Sequence, residues 1–265
     1  MIIQFPNNFK IDDYNDKFLW RYIDLHKLID LLNKKQIYFT RFDHFEDGVE
    51  GLTGKGVSLK AFTQGEPITM TNVGPNLTPE QKEITIRQDK NWREMYLDEI
   101  TGSQQTQFAS CWFLGDRESL AMWKLYSRKE GVAIKFKARQ LIDTLVTAAR
   151  NYTSSAFHIM YLGQVAYKNI WPFDPLENFD GQFNGLNKDR SYLHENEFRF
   201  VSVVPITEKA KHNNFTLPIG ELNTFDFKII TNPFMEKYEM ENLKTLLGKY
   251  ELENYLIPSR MEIRK

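Results

Sequence analysis

Apolar positions along the chain switch between a period of two and a helical period, and the switches outline its elements. Residues 17–23, Lys-Phe-Leu-Trp-Arg-Tyr-Ile, read as a strand of bulky side chains interrupted by one arginine. Asp24 then suits the N-cap of a helix in which Leu25, Leu28, Ile29 and Leu32 recur at helical spacing. Further strands are predicted at 36–41, 107–113, 131–137, 197–204 and 225–230, and over one long alternating run at 157–169. Helices are predicted at 118–126, 138–149 and 234–248, with about two helical turns at 186–194 and a short last strand around Glu-Asn-Tyr-Leu-Ile-Pro.

Between about 52 and 107 the apolar density falls. Residues 63–81 read as loop, after which Thr78-Pro79-Glu80-Gln81 supplies an N-cap, a first-turn proline and a capping-box partner. The helix that follows carries Ile84, Trp92, Met95, Tyr96 and Ile100, expected down one side. The section 52–106 is therefore read as a loop-plus-helix insertion that covers one face of a single domain spanning 1–265. Strands and helices are interspersed, without the regular alternation or glycine-rich turns of a doubly wound fold. The expected class is α+β, a mixed or antiparallel sheet with helices packed on it.

Composition narrows the partners. With 42% hydrophobic residues, among them 20 Phe, 12 Tyr and 5 Trp, a chain of 265 residues can bury a substantial core. A net charge of −1 argues against a general electrostatic grip on nucleic acid or acidic lipid and leaves room for a local basic groove. The single cysteine, Cys111, rules out an internal disulfide framework and any paired-cysteine metal site, and its flanks read as a buried strand. The first residues are too polar for a signal peptide and no apolar run is long enough to span a bilayer, so a soluble cytoplasmic protein with no membrane partner is expected.

The chemistry must run on few residue types. No phosphate-binding glycine loop, nucleophile elbow or His-Glu-x-x-His zinc motif is present, and the five histidines are scattered. That leaves Glu, Arg, Ser and aromatics. The stretch His194-Glu-Asn-Glu-Phe-Arg-Phe200 stands at the mouth of a strand. If it is extended, Glu195, Glu197 and Arg199 share a face, the two carboxylates about 7 Å apart, while Phe198 and Phe200 point to the core. Such a face is either a solvated one on which Arg199 pairs a glutamate, or a site where a carboxylate holds a sugar hydroxyl and offsets charge on an anomeric carbon. Arg21 alternates with Trp20 and Tyr22 and so faces away from them, where a guanidinium can fork onto Glu195, Glu197 or phosphate oxygens. On the helix at 118–126, Trp123 and Tyr126 can stack on a flat ring and Ser119 can bond an amide, or the helix can be plain core. The acidic loop with Asp43, Glu46, Asp47 and Glu50 matches no calcium loop in spacing. Two alternatives stand beside the sugar reading: a metal-dependent phosphodiesterase or nuclease using Asp43, Asp47, Glu50 and Glu195, and a non-catalytic binding or regulatory module docking through Trp171 and Phe173.

Several stretches add a resemblance. Phe45-Glu46-Asp47-Gly48-Val49-Glu50, then Ser-Cys-Trp-Phe-Leu with Leu-Ala-Met-Trp-Lys-Leu-Tyr and Gly-Val, then Lys-Asp-Arg-Ser-Tyr-Leu-His-Glu-Asn-Glu-Phe-Arg-Phe, resemble the landmarks of the bacterial domain-of-unknown-function family 2971. That family shows Phe-Asn-Asp-Pro-Phe-Glu, Cys-Phe-Ser, Met-Trp-x-x-Tyr and a Glu-x-Glu-x-Arg near a lysine and an aromatic. The chain departs at the Asn and Pro positions and has Trp112-Phe113 in place of Phe-Ser; the resemblance runs from Leu19 to Phe200. More loosely, an arginine in the first strand, a serine–aromatic helix and a Glu-x-Glu strand edge are similar in order to the mono-ADP-ribosyltransferases. This implies an ADP-ribosyltransferase-like fold, NAD as substrate and no metal. It implies that Arg21, beside Tyr22, binds the nicotinamide ribose–phosphate side of NAD and that Ser119 with Trp123 or Tyr126 cradles nicotinamide. Glu197 would bond the ribose hydroxyl and stabilise an oxocarbenium-like state, Glu195 would assist acceptor attack, and Arg199 would complete the NAD-binding set. The implied partners are an unknown macromolecular acceptor, protein or nucleic acid, and a neutralising partner protein, as for a bacterial toxin or phage-defence effector. The Ser-Thr-Ser signature of the arginine-modifying branch is absent. The account requires Arg21 and the paired acids to converge around one hollow.

Overall fold

The computed structural model describes residues 1–63, 77–154, 156–170 and 181–262. Among the described residues there are twelve strands, most of them rich in aromatic and branched side chains: β1 (Ile2–Gln4), β2 (Phe18–Ile23), β3 (Gln36–Arg41), β4 (Gln107–Leu114), β5 (Val132–Lys137), β6 (Ile159–Gln164), β7 (Ala166–Lys168), β8 (Asn187–Asp189), β9 (Glu197–Val203), β10 (Asn214–Pro218), β11 (Phe227–Thr231) and β12 (Leu256–Ile257). Ten of them form one mixed sheet in the order β1-β6-β9-β4-β2-β5-β11-β12, with β3 bridging β4 to β10; β7 and β8 pair in parallel apart from it. The class is α+β. β2 meets β4 at Leu19–Leu114 and Trp20–Phe113, and β3 takes the place beside β4 further along, at Thr40–Ala109 and Arg41–Phe108.

Alternation gives the sheet two different faces. One carries the main core, where Leu19, Phe39, Trp112, Ile134, Phe136, Phe198, Phe200 and Phe215 are buried. Against it packs α5 (Ala138–Asn151), whose Leu141, Ile142, Leu145 and Ala149 form one apolar stripe, together with α1 (Leu25–Lys34). Helix α1 starts where the sequence predicts, with the Asp24 side chain accepting from Lys27 N at 2.8 Å. On the other face lie two smaller aromatic groups, around Trp20, Tyr22 and Trp123 and around Phe42, Tyr161 and Phe183, with a buried charged group between strand ends.

Several sequence expectations change. The run 157–169 is two strands: β6 follows β9 as far as Val165, which donates to Glu197 O at 2.8 Å, and from Ala166 the chain pairs with β8 instead. The two helical turns expected at 186–194 are β8 followed by a 3-10 turn, Arg190–Glu195; Asp189 caps that turn, accepting from Ser191 N and Oγ at 2.9 and 2.6 Å. The insertion contains α2 (Gly54–Thr63) and α3 (Pro79–Gln105), joined by Tyr96 Oη donating to Leu59 O at 2.7 Å. The Thr78–Gln81 capping box forms as read. Ile84, Trp92 and Met95 are more than half exposed, however, so α3 does not lay that stripe on the domain. Most of the loop expected at 63–81 falls outside the described residues. β1 and β10 carried too few alternations to be read as strands. α6 (Lys237–Gly248) and β12 lie close to their expected places.

Replacing Asp24 removes a bonded N-cap from α1: Asp24→Ala is expected to lower unfolding free energy by about 1 kcal/mol in urea titrations, with an unchanged slope.

Candidate functional site

The site is built at the start of β9, and its geometry depends on one residue. Asn196 takes a left-handed backbone, φ 36 and ψ 61, and its side-chain amide donates to Leu114 O. β9 therefore begins at Glu197, and Glu195 belongs to the preceding 3-10 turn. The expected alternation of Glu195, Glu197 and Arg199 on one extended face holds for the last two alone. Glu195 reaches the same place by the turn.

Three carboxylates and two cations meet there. Lys188 Nζ, carried by β8, donates to Glu195 Oε2 at 2.5 Å and to Glu197 Oε1 at 2.7 Å, and lies 3.4 Å from Glu50 Oε1. Arg199 Nε and Nη2 grip both oxygens of Glu197 at 2.8 and 3.0 Å; Nη2 also donates to Glu50, and Nη1 donates to Gly185 O at 3.0 Å. All five side chains are at most 5% exposed. Phe42 and Phe45 set their rings 5.7 and 6.0 Å from the Arg199 guanidinium. Gly51 closes the acidic loop with φ 74, a conformation that leaves its carbonyl to accept from Asn184 Nδ2 at 2.7 Å.

Tyrosines surround the group. Tyr126, at the end of α4 (Leu120–Tyr126), donates to Glu195 Oε1 at 2.9 Å and is 45% exposed. Tyr192 is half-buried with its ring 4.6 Å from Lys188 Nζ. Tyr167 Oη accepts from Glu197 N at 2.8 Å. Glu195 thus lies one side chain below solvent, under Tyr126.

The environment splits the two glutamates. Burial, then the neighbouring Glu197 carboxylate, pushes the Glu195 carboxyl up to about 7. Burial also works against ionised Glu197, but Arg199 and Lys188 outweigh it and hold that carboxyl well below the ordinary range. Burial raises the Tyr126 phenol, and the neighbouring Glu195 charge raises it further. One carboxyl is held as an anion and its neighbour is pushed up toward neutrality, the arrangement from which acid–base chemistry is built.

The structure brings together Glu195, Glu197, Arg199 and Tyr126 of the residues singled out from the sequence. Tyr22, Ser119 and Trp123 form the packing beside them. Tyr22 Oη accepts from Ser119 N at 2.9 Å, the Ser119 hydroxyl caps α4, and Trp123 is buried with Nε1 donating to Glu118 at 3.1 Å. Arg21 is not brought to the glutamates. It projects from the opposite face of the sheet, where it donates to Ser110 Oγ and Tyr38 O at 3.2 Å and lies 5.3 Å from the Trp112 ring. The strand alternation that turns Trp20 and Tyr22 toward the charged group turns Arg21 away from it. The carboxylates expected to share a metal are also separated. Asp43 is held by Arg41, Asp47 accepts from Val49 N, and Lys188 occupies the space between Glu50 and Glu195. Among the described residues no group of three or more His, Cys, Asp or Glu is placed to hold a metal ion, and no helix is long and apolar enough to cross a membrane. Trp171 and Phe173 lie outside the described residues.

Sequence reasoning gave Lys188, Tyr167 and Tyr192 no role. The lysine of the family pattern was the signal for Lys188, but its apparent place on a helix hid its direction. Comparison with models of known families, with curated proteins and with solved structures finds no match.

Removing one buried cation strands the carboxylates it serves, so Lys188→Met is expected to cost about 3–5 kcal/mol by chemical denaturation. The pH dependence follows from Glu195. Its folded value of about 7 lies above its ordinary 4.5, so between those values the folded state binds more protons and stability falls as pH rises, levelling off above 7. Glu197, depressed, loses its contribution only at lower pH. The difference in unfolding free energy between wild type and Glu195→Gln should decline across that window, by up to about 1.4 kcal/mol per pH unit; parallel curves would show that Glu195 titrates normally.

Proposed function

We propose that the Glu195–Glu197 pair is a catalytic centre for breaking a glycosidic bond, and that its substrate is NAD, from which ADP-ribose passes to an acceptor. The observation that carries this reading is the split within the pair, Glu197 held low by Arg199 and Lys188 and Glu195 pushed up toward neutrality beneath a partly exposed tyrosine. Glu197, anchored by Arg199 and Lys188, would face the positive charge that develops on the ribose carbon as nicotinamide leaves. Glu195 would take the proton of the attacking acceptor, a role suited to a group titrating near the working pH. Nicotinamide is a pyridinium cation within NAD and departs as a neutral molecule with the bonding electron pair, so that step needs neither a metal nor a nucleophilic thiol. The choice of NAD, and an ADP-ribosyltransferase-like character for the sheet, rest on the sequence resemblance alone. The reading also gives up its expected phosphate ligand. Arg21 on the far face takes no part, and the NAD clamp that would have joined it to the two acids is not formed.

A structural reading has an observation of its own. All four oxygens of Glu195 and Glu197 already accept from Tyr126, Lys188 or Arg199, as in a self-contained polar core.

Turnover separates the two. Wild type incubated with NAD is expected to release nicotinamide, followed by chromatography, and Glu195→Gln, which matches the protonated form in shape, to lose at least about a hundredfold in rate with its melting temperature kept. Glu197→Gln should lose activity as well, but the anchoring of Glu197 makes Glu195→Gln the cleaner probe. No nicotinamide from wild type, or equal rates from wild type and Glu195→Gln, would leave the structural reading in place.

A further inference from the structure

The face of the sheet that carries Glu197 continues past α4 onto β2, β5 and β11, and there its character changes. Along one rung the directly opposed residues are Lys228 on β11, Lys135 on β5, Trp20 on β2, Phe113 on β4 and Glu197 on β9. On the next rung Lys137 opposes Phe18. Lys135 Nζ sits 3.6 Å from the centre of the Phe18 ring and 4.8 Å from that of Trp20, and Lys137 Nζ lies 4.6 Å from Phe18. Lys228 is exposed, 5.6 Å from the Tyr255 ring. Arg260 joins them from the C-terminal segment, which Glu118 holds through Ser259 Oγ and Arg260 N.

Like charges placed directly opposite on neighbouring strands repel. Lys135 and Lys228 are so placed, and among the described residues neither they nor Lys137 forms an ion pair. Asp116 and Asp226 are the nearest acids to Lys135, but burial, Arg260 and Lys137 together lower its pKa. The patch is thus a grid of lysines that form no ion pair, with a partly exposed aromatic ring between them, on one face of the sheet. Its spacings are those of the sheet, about 4.8 Å between strands and about 7 Å along one.

We propose that this lysine–aromatic face docks single-stranded nucleic acid, with backbone phosphates on Lys135, Lys137, Lys228 and Arg260 and a base stacked on Phe18. The cations supply a sequence-independent grip and the ring a stacking platform that takes any base. Lys135 and Lys137 cover the Phe18 ring in the free chain, and when they swing onto phosphates a base can take their place on it, whereas an acidic peptide or an anionic membrane would draw them off and leave the ring bare. The net charge of −1 does not oppose this docking, since the grip is local to one face. The inference does not depend on NAD turnover. A chain that fails to cleave NAD and still binds a single strand would leave it standing.

Fluorescence anisotropy of a labelled oligothymidylate with the full chain tests it, titrated at several salt concentrations. Binding is expected to weaken with salt at a log–log slope of about −2 to −3. Replacing Lys135, Lys137 and Lys228 together by Gln should flatten that slope by about 2. Phe18→Ala should weaken binding at fixed salt by at least about fivefold, the loss of one stacked base. Lys228→Glu relieves the opposed lysines, so it should keep the melting temperature at or above wild type while weakening binding; it serves if the triple variant fails to fold. No binding by wild type, unchanged affinity in folded lysine variants, an inert Phe18→Ala, or equally tight binding to phosphatidylserine vesicles would overturn the proposal.

Discussion

Three carboxylates face two cations in a space that water does not reach, and the rest of the site follows from that imbalance. With Glu50, Glu195 and Glu197 all ionised, the group would hold a net negative charge in surroundings that solvate it poorly. The least costly relief is a proton on the carboxyl with the weakest cation support. Arg199 grips Glu197 with two nitrogens, while Glu195 has Lys188 and a phenol, so Glu195 is the carboxyl pushed up toward neutrality. The same network fastens distant parts of the chain. Glu50 brings in the acidic loop from 149 positions before Arg199, β8 delivers Lys188, and α4 delivers Tyr126. A core that needs these segments in register to balance its charge specifies their arrangement more sharply than apolar packing does, because a slipped strand would leave a buried charge unpaired.

What could be read from the sequence was local. Period and caps placed β2, β3, β4, β5 and α1 within a residue or two, because each joins a clear apolar alternation or stripe to a residue such as Asp24 that ends it. The segment 186–194 misled for a physical reason. Leu186, Tyr192 and Leu193 fall at nearly helical spacing, but Asp189 captures its own turn and Asn196 adopts a left-handed backbone, neither of which periodicity records. The pairing of Arg199 with a glutamate was legible, since two acids and a guanidinium in so short a stretch invite it. Their partners were not, because Lys188 and Glu50 are joined to them only by tertiary packing.

The misplacement of Arg21 has a different origin. Its alternation with Trp20 and Tyr22 was plain in the sequence, but which side of the sheet would carry Glu197 was not. That is decided by the pairing of β4 with β2 on one edge and with β9 on the other. Directly opposed residues share a side, so the chain Trp20–Phe113–Glu197 sets Glu197 on the tryptophan's side of the sheet and leaves Arg21 over Trp112. A single-strand pattern gives relative direction only, and absolute direction needs the neighbours.

That rung also explains why one face can hold two kinds of chemistry. From Glu197 to Lys228 it crosses four strand spacings, about 19 Å, with Phe113 and Trp20 in between. Helix α4 stands over the middle, burying Met122 and Trp123 against Trp20 and Tyr22. The covered end is dry, and its charges must pair among themselves. The open end keeps Lys228 in water, where like charges can stand opposite at modest cost. Both ends therefore follow from where α4 lies. The helix is only Leu120–Tyr126, capped by Ser119 and closed by Tyr126 on Glu195, so the residue that ends the helix is also the one that separates the buried carboxylate from solvent.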